Sequence, residues 1–127
     1  MKSQKFYIFS FLIFITGCTT GELYYLDKGG ERKLACEVEF VGKPSVDVYA
    51  VEYALSLCAK SVQRKGGIVE KPRLLEVDTS IPLAPCGVAW SHELAKSHFN
   101  KGLLTKKEYG YIAANIELGL AEENVCS

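Results

Sequence analysis

Five cysteines and two histidines are the side chains of this 127-residue chain best suited to chemistry. The run His92-Glu93-Leu94-Ala95-Lys96 approaches the HExxH spacing of a zinc-binding helix. That mechanism needs a second imidazole four residues on, so that both rings reach one metal. Lys96 holds that position, and His98 lies six residues from His92, on a different side of a helix. His92 reads as a first-turn surface residue and His98 as a core-edge residue beside Phe99. No CxxC pair exists and the histidines do not sit at ligand spacing to any cysteine, so no metal is expected. A GxSxG elbow, a phosphate-cradling glycine loop and a revealing carboxylate pair are all missing. Gly29-Gly30 and Gly66-Gly67 read as turns. The residues therefore supply no catalytic constellation and call for no cofactor.

Cys18 is different, because of what precedes it. Met1 to Lys5 carries two lysines and no acid, and Phe6 to Ile15 is a ten-residue run in which only Ser10 is polar. A charged n-region followed by an apolar run of this length is the pattern of a secretory signal. As a helix the run reaches only about 15 Å, against a bilayer core of roughly 30 Å. Ile15-Thr16-Gly17-Cys18 then resembles the bacterial lipobox: an aliphatic residue, two small residues and a cysteine. The resemblance implies diacylglycerol on the Cys18 thiol, cleavage after residue 17 and acylation of the new amine. Each buried CH2 contributes about 0.8 kcal/mol, and two or more chains make attachment stable where one does not. Thr19 follows the cysteine where an aspartate would mark retention. In a Gram-negative envelope this implies the outer membrane, facing the periplasm.

On this reading residues 1–17 are a signal peptide, 18–22 a lipidated tether and 23–127 one small globular domain. Losing Lys2 and Lys5 leaves 13 basic against 15 acidic residues, a formal charge of −2. Phosphate binding demands a basic footprint, so nucleic acid is not the expected partner. The lipid is the expected membrane attachment, and another envelope protein the expected partner.

The elements that must carry these residues follow from periodicity. Leu23–Asp27 reads as an aromatic-rich strand and Lys28–Glu31 as a turn. Leu34, Cys36, Val38 and Phe40 alternate with Glu37 and Glu39, the period of a half-buried strand. The two strands make a β-hairpin. Ser45 is the expected N-cap of a long helix over Val46–Arg64, with Val51, Leu55, Cys58 and Val62 on one face. Ile68–Pro85 is irregular, with Leu74–Val77 as a short strand. A helix over Ala89–Asn100, with Trp90 on its apolar side, stops at Lys101-Gly102. Thr105 and Glu108 form a capping box for a last helix whose stripe is Tyr109, Ile112, Ala113, Ile116 and Leu120. The helix–Gly102-Leu103-Leu104-Thr105–helix segment resembles the short bacterial helical hairpin called SHOCT, which implies an oligomerisation or interaction element.

An exported chain folds where thiols oxidise, and Cys36, Cys58, Cys86 and Cys126 form an even set. Of three connectivities, Cys36–Cys58 and Cys86–Cys126 is favoured. The expected fold is α+β: an N-terminal hairpin packed on a long helix, then a helical hairpin, stapled by two disulfides. A mostly helical domain is the alternative. Among Tyr24, Tyr25, Tyr49 and Tyr53, the first two are the candidate interaction surface, since tyrosine offers a large rigid area with a polar tip. The function this supports is a non-catalytic, lipid-anchored envelope protein that binds a partner or builds a complex. An inhibitor or immunity lipoprotein against a periplasmic toxin or hydrolase is the second reading. A cell-wall-acting enzyme using His92 or His98 is the third.

Overall fold

The computed structural model describes residues 17–127. The n-region, the apolar run, and Ile15 and Thr16 of the lipobox lie outside the described residues. Among the described residues no helix is long and apolar enough to cross a membrane.

The fold is α+β, and a hairpin opens it. Strand β1 (Cys18–Leu26) runs antiparallel to β2 (Arg32–Val41), with Cys18 opposite Val41 and Leu26 opposite Arg32. The Asp27 carboxylate closes the turn by accepting from the Gly29 and Glu31 amides, both at 2.9 Å. Residues 18–22, expected as a tether, are the first half of β1. Gly21 lies so close to the next helix that a Cβ there would sit 2.5 Å from Val51 Cγ1. The expected alternation also slips once. A register shift between Leu23 and Tyr24 leaves Ala35 as the extra residue of a β-bulge. Cys36, Val38 and Phe40 keep the inner face, but Leu34 turns out to solvent, 47% exposed.

Helix α1 (Pro44–Arg64) crosses the inner face of the sheet. It starts earlier than expected. Pro44 takes the first helical position, where its fixed φ suits the helix and its missing N–H costs nothing. Lys43 is then the cap and Ser45 lies inside the first turn. Beyond α1, β3 (Ile68–Val69) pairs with Tyr25 and Leu26, giving the sheet order β2-β1-β3. Leu74–Val77, expected as a strand, does not form one. Pro72 opens a 3₁₀ turn over Pro72–Leu75 instead, and buries Leu74. The fixed φ of proline suits the first position of such a turn.

Helix α2 (His92–Asn100) begins three residues later than expected, because Ser91 caps it by accepting from the Leu94 amide at 3.1 Å. Trp90 therefore precedes the helix. It packs in one cluster with Ala95 as a hydrophobic staple, and its indole donates to the Pro82 carbonyl at 2.8 Å. Gly102 adopts φ +74°, and the Leu103 amide returns to the His98 carbonyl at 2.9 Å, the hydrogen bond of a Schellman stop. Helix α3 (Lys106–Glu117) carries the expected capping box of Thr105 and Glu108. It stops before Leu120, which is 48% exposed.

Helix α3 packs on α1 at very short range. A Cβ at Gly110 would lie 2.6 Å from the Val46 carbonyl and 2.7 Å from Tyr49 Cβ, so only glycine lets the backbones meet there. Tyr53 and Tyr111 fill the interface with ring centroids 5.2 Å apart. Both hydroxyls are satisfied: Tyr111 donates to the Glu52 carboxylate, and Tyr53 accepts from the Asn115 amide at 3.0 Å.

Both favoured disulfides are formed. Cys36–Cys58 ties β2 to α1, and Cys86–Cys126 ties the C-terminal tail to the loop before α2. Asn124 secures the same tail. Its backbone exchanges hydrogen bonds with Gly87 and Val88 at 2.8 and 2.9 Å, and its side chain donates to the Ala84 carbonyl at 2.6 Å.

Candidate functional site

Three elements converge on one cleft of about 800 Å³: the end of β2 with the β2–α1 turn, the start of α1, and the α2–α3 pair. That volume lies within the range of ligand pockets. The α2–α3 hairpin supplies an aromatic wall, with Phe99 stacked on Tyr109 at 4.8 Å between centroids. Val38 and Phe40 on β2 and Val46 on α1 provide the apolar surface opposite. Lys43 stands 5.9 Å from the Phe99 ring centroid, and Lys96 lies on the same rim.

Asp47 is the polar group that the fold treats least kindly. It is 9% exposed, and its Oδ2 has no hydrogen-bond partner. Burial pushes its carboxyl above the ordinary carboxylate range. A buried polar atom without a partner costs about 1–3 kcal/mol, and more when charged. Its place in the first turn of α1 offsets part of this through the helix dipole. The sequence holds the signal in hindsight: Asp47 sits one helical turn before Val51 and two before Leu55, on a stripe otherwise apolar.

His92 and Glu117 meet at the mouth of the cleft, with His92 Nε2 and Glu117 Oε1 2.7 Å apart. Both side chains are more than half exposed, so the pair is a surface contact between α2 and α3. His98 is elsewhere, edge-on to Trp90 at 5.2 Å. The structure thus separates the two histidines. Among the described residues no group of three or more His, Cys, Asp or Glu is arranged to hold a metal ion.

Cys18 is exposed and is the free cysteine among the described residues. A hydrogen bond to the Glu39 carboxylate, then desolvation, then the charge of that carboxylate raise its thiol above the ordinary range. Val41, opposite Cys18 in the ladder, and Glu39 both border the cleft, whereas Cys18 itself does not line it.

The two candidate tyrosines do not share a face. Tyr24 lies on the outer side of the sheet under the Arg32 guanidinium, 3.9 Å from its ring centroid. Arg32 in turn bonds Glu70 through two nitrogens, at 2.5 and 3.1 Å. Tyr25 packs inward against the β1–α1 core. It borders a second, smaller cavity of about 520 Å³ with Lys28, Lys65 and Cys58. Tyr53 is buried and Tyr49 packs beside it. Alternation along a strand makes this split unavoidable for adjacent residues.

Comparison of the chain with protein-family models, with curated proteins and with solved structures finds no match.

Proposed function

We propose that this chain is a lipid-anchored envelope protein, acylated on Cys18, that works by binding another protein and performs no reaction itself. The observation that carries the anchor is the fate of the cysteines. Four of the five pair with one another, and the one left exposed is Cys18, directly after the apolar run. A leftover thiol in an exported, disulfide-bonded chain needs an occupation. Acylation supplies one. In a Gram-negative envelope, Thr19 after the cysteine directs the protein to the outer membrane, facing the periplasm.

Partner binding, rather than chemistry, suits a cleft whose one histidine–carboxylate contact lies at its exposed mouth. The anchor is tested by labelling cells with a palmitate analogue. Wild-type protein should take up label, and Cys18→Ser should take up none and persist as an uncleaved precursor. Normal processing of Cys18→Ser would refute the anchor. The partner is tested by cross-linking in intact envelopes, followed by mass spectrometry. Recovery of one stoichiometric toxin or hydrolase assigns an inhibitory role, and a set of assembly components assigns a structural one. Recovery of the chain alone would overturn the binding reading.

A further inference from the structure

The sheet order puts β2 at an edge, so one side of its backbone is not paired by a strand. Val38, Glu39, Phe40 and Val41 all border the main cleft. Consecutive strand residues point to opposite faces. A cavity touched by four in a row therefore runs along the strand's edge, not over one face. Outside its ladder with β1, no backbone hydrogen bond joins residues 32–41 to any other described segment. Natural edges are blunted with lysine, proline or inward-pointing charge. The lower part of β2 has Arg32 and Lys33, but the part along the cleft has only Glu39, followed by Val41 at 70% exposure.

At the same cleft lies Asp47, nine-tenths buried and with its Oδ2 unpartnered. Neither rim lysine satisfies it. The salt bridges of lysine and arginine among the described residues are Arg32–Glu70 and Lys33–Asp27. Of the acids on the lining, Glu117 is engaged by His92, which leaves Asp47 and Glu39 against Lys43 and Lys96. The Phe99–Tyr109 wall offers the kind of surface along which a long basic side chain lays its methylene stem. These two observations, a free edge and an unpaired buried carboxylate, ask for one ligand.

We propose that the cleft is a docking groove for an extended segment of a partner protein, which adds a strand to the β2 edge and sets a lysine or arginine against Asp47. Main-chain pairing would supply affinity, and the cation specificity, as in other strand-addition complexes. The ion pair forms only when the partner arrives, which accounts for a carboxylate held unpaired in the free protein. This inference rests on the partner-binding reading above, but needs neither lipid nor envelope.

The test uses the full 127-residue chain in detergent micelles. The probes are two blocked eight-residue peptides of alternating valine and threonine, one with a central lysine and one with norleucine in its place. The readouts are backbone amide shifts and amide exchange. The lysine peptide should shift and protect amides within Val38–Gly42, and norleucine should weaken binding at least tenfold. Asp47→Asn, which keeps the shape, should bring the two peptides within about twofold of each other. Equal binding of both peptides to the wild type would overturn the proposal, as would shifts confined to other surfaces or none at millimolar peptide. Concentration-dependent protection of the same amides without peptide would assign the edge to a second copy. Contacts of detergent chains with Phe99 and Tyr109 that exclude peptide would assign the groove to acyl chains. Either result would overturn it too. Failure of acylation at Cys18 would leave these outcomes unchanged, so the two readings fail separately.

Discussion

Gly110→Ala sets two known effects against each other. In an exposed helix, alanine in place of glycine stabilises by about 1 kcal/mol. At Gly110 the new methyl would sit 2.6 Å from the Val46 carbonyl oxygen, 2.7 Å from Tyr49 Cβ and 3.2 Å from the Ala50 nitrogen. The first and last of these are α1 backbone and cannot rotate away. Relief requires α3 to withdraw from α1 by several tenths of an ångström. A gap of 0.5–1 Å forfeits roughly a quarter to a half of each dispersion contact it opens. The contacts at stake are those of Ala50, Tyr53, Tyr111 and Ala114. Overpacking of this kind costs about 1–3 kcal/mol. With backbone on both sides the upper half of that range applies, and subtracting the propensity gain leaves a net loss of about 1–2 kcal/mol. Urea unfolding of the oxidised protein, followed by circular dichroism, should show a lower midpoint with an unchanged slope. A Gly110→Ala protein as stable as the wild type, or more so, would mean that α1 and α3 do not approach as described.

Removing either disulfide should destabilise the fold, with loop length setting the order. Sequence separations of 22 and 40 correspond to ~3.4 and ~3.9 kcal/mol in the chain-entropy model. Paired cysteine-to-alanine variants in urea should each lose more than 2 kcal/mol, and a loss below 1 would refute that account. Tyr111→Phe deletes the donor to Glu52 inside the α1–α3 interface and should cost about 1–2 kcal/mol at neutral pH. Burial and then the Glu52 contact raise the Tyr111 hydroxyl well above an ordinary tyrosine. The stability it contributes is therefore complete below the unfolded tyrosine pKa of about 10 and declines as pH rises beyond it. The wild-type advantage over Tyr111→Phe should accordingly narrow in alkali, and a constant difference between pH 8 and 11 would contradict this.

Local signals proved readable and long-range ones less so. The Thr105–Glu108 box formed as expected because both partners lie within four residues and bond only each other's amides. The Cys36–Cys58 pairing was legible because a period of two pointed one cysteine inward and a period near 3.6 pointed the other to meet it. The bulge at Ala35 left no local mark, since it is a property of how β1 and β2 pair. Leu34 consequently looked like core and is not. Pro44, at the first helical position, starts α1 two residues before the point that a Ser45 cap predicts. The cleft was not legible at all. Phe99, Tyr109, Val46 and Asp47 come from three helices, and nothing in the spacing of one reports on another. Asp47 alone carried a hint, as an acid on an apolar stripe.

The two disulfides close rings that do not overlap, residues 36–58 and 86–126. A protease that cuts one bond inside either ring leaves the pieces covalently joined. Only between the rings, across residues 59–85, does a single internal cut divide the domain into two halves, each with its own crosslink. That stretch includes β3, the 3₁₀ turn and the irregular run up to Pro85. On a gel without reductant, a nick after Lys71 or Arg73 would give two bands, and a nick in the α2–α3 hairpin would give one. The crosslinked parts of the chain are thus two separate plates with one seam between them, while β1 and the start of β2 lie outside both. Once that seam is opened, the packing of α3 on α1 and of Leu74 against Leu55 and Val62 holds the halves together.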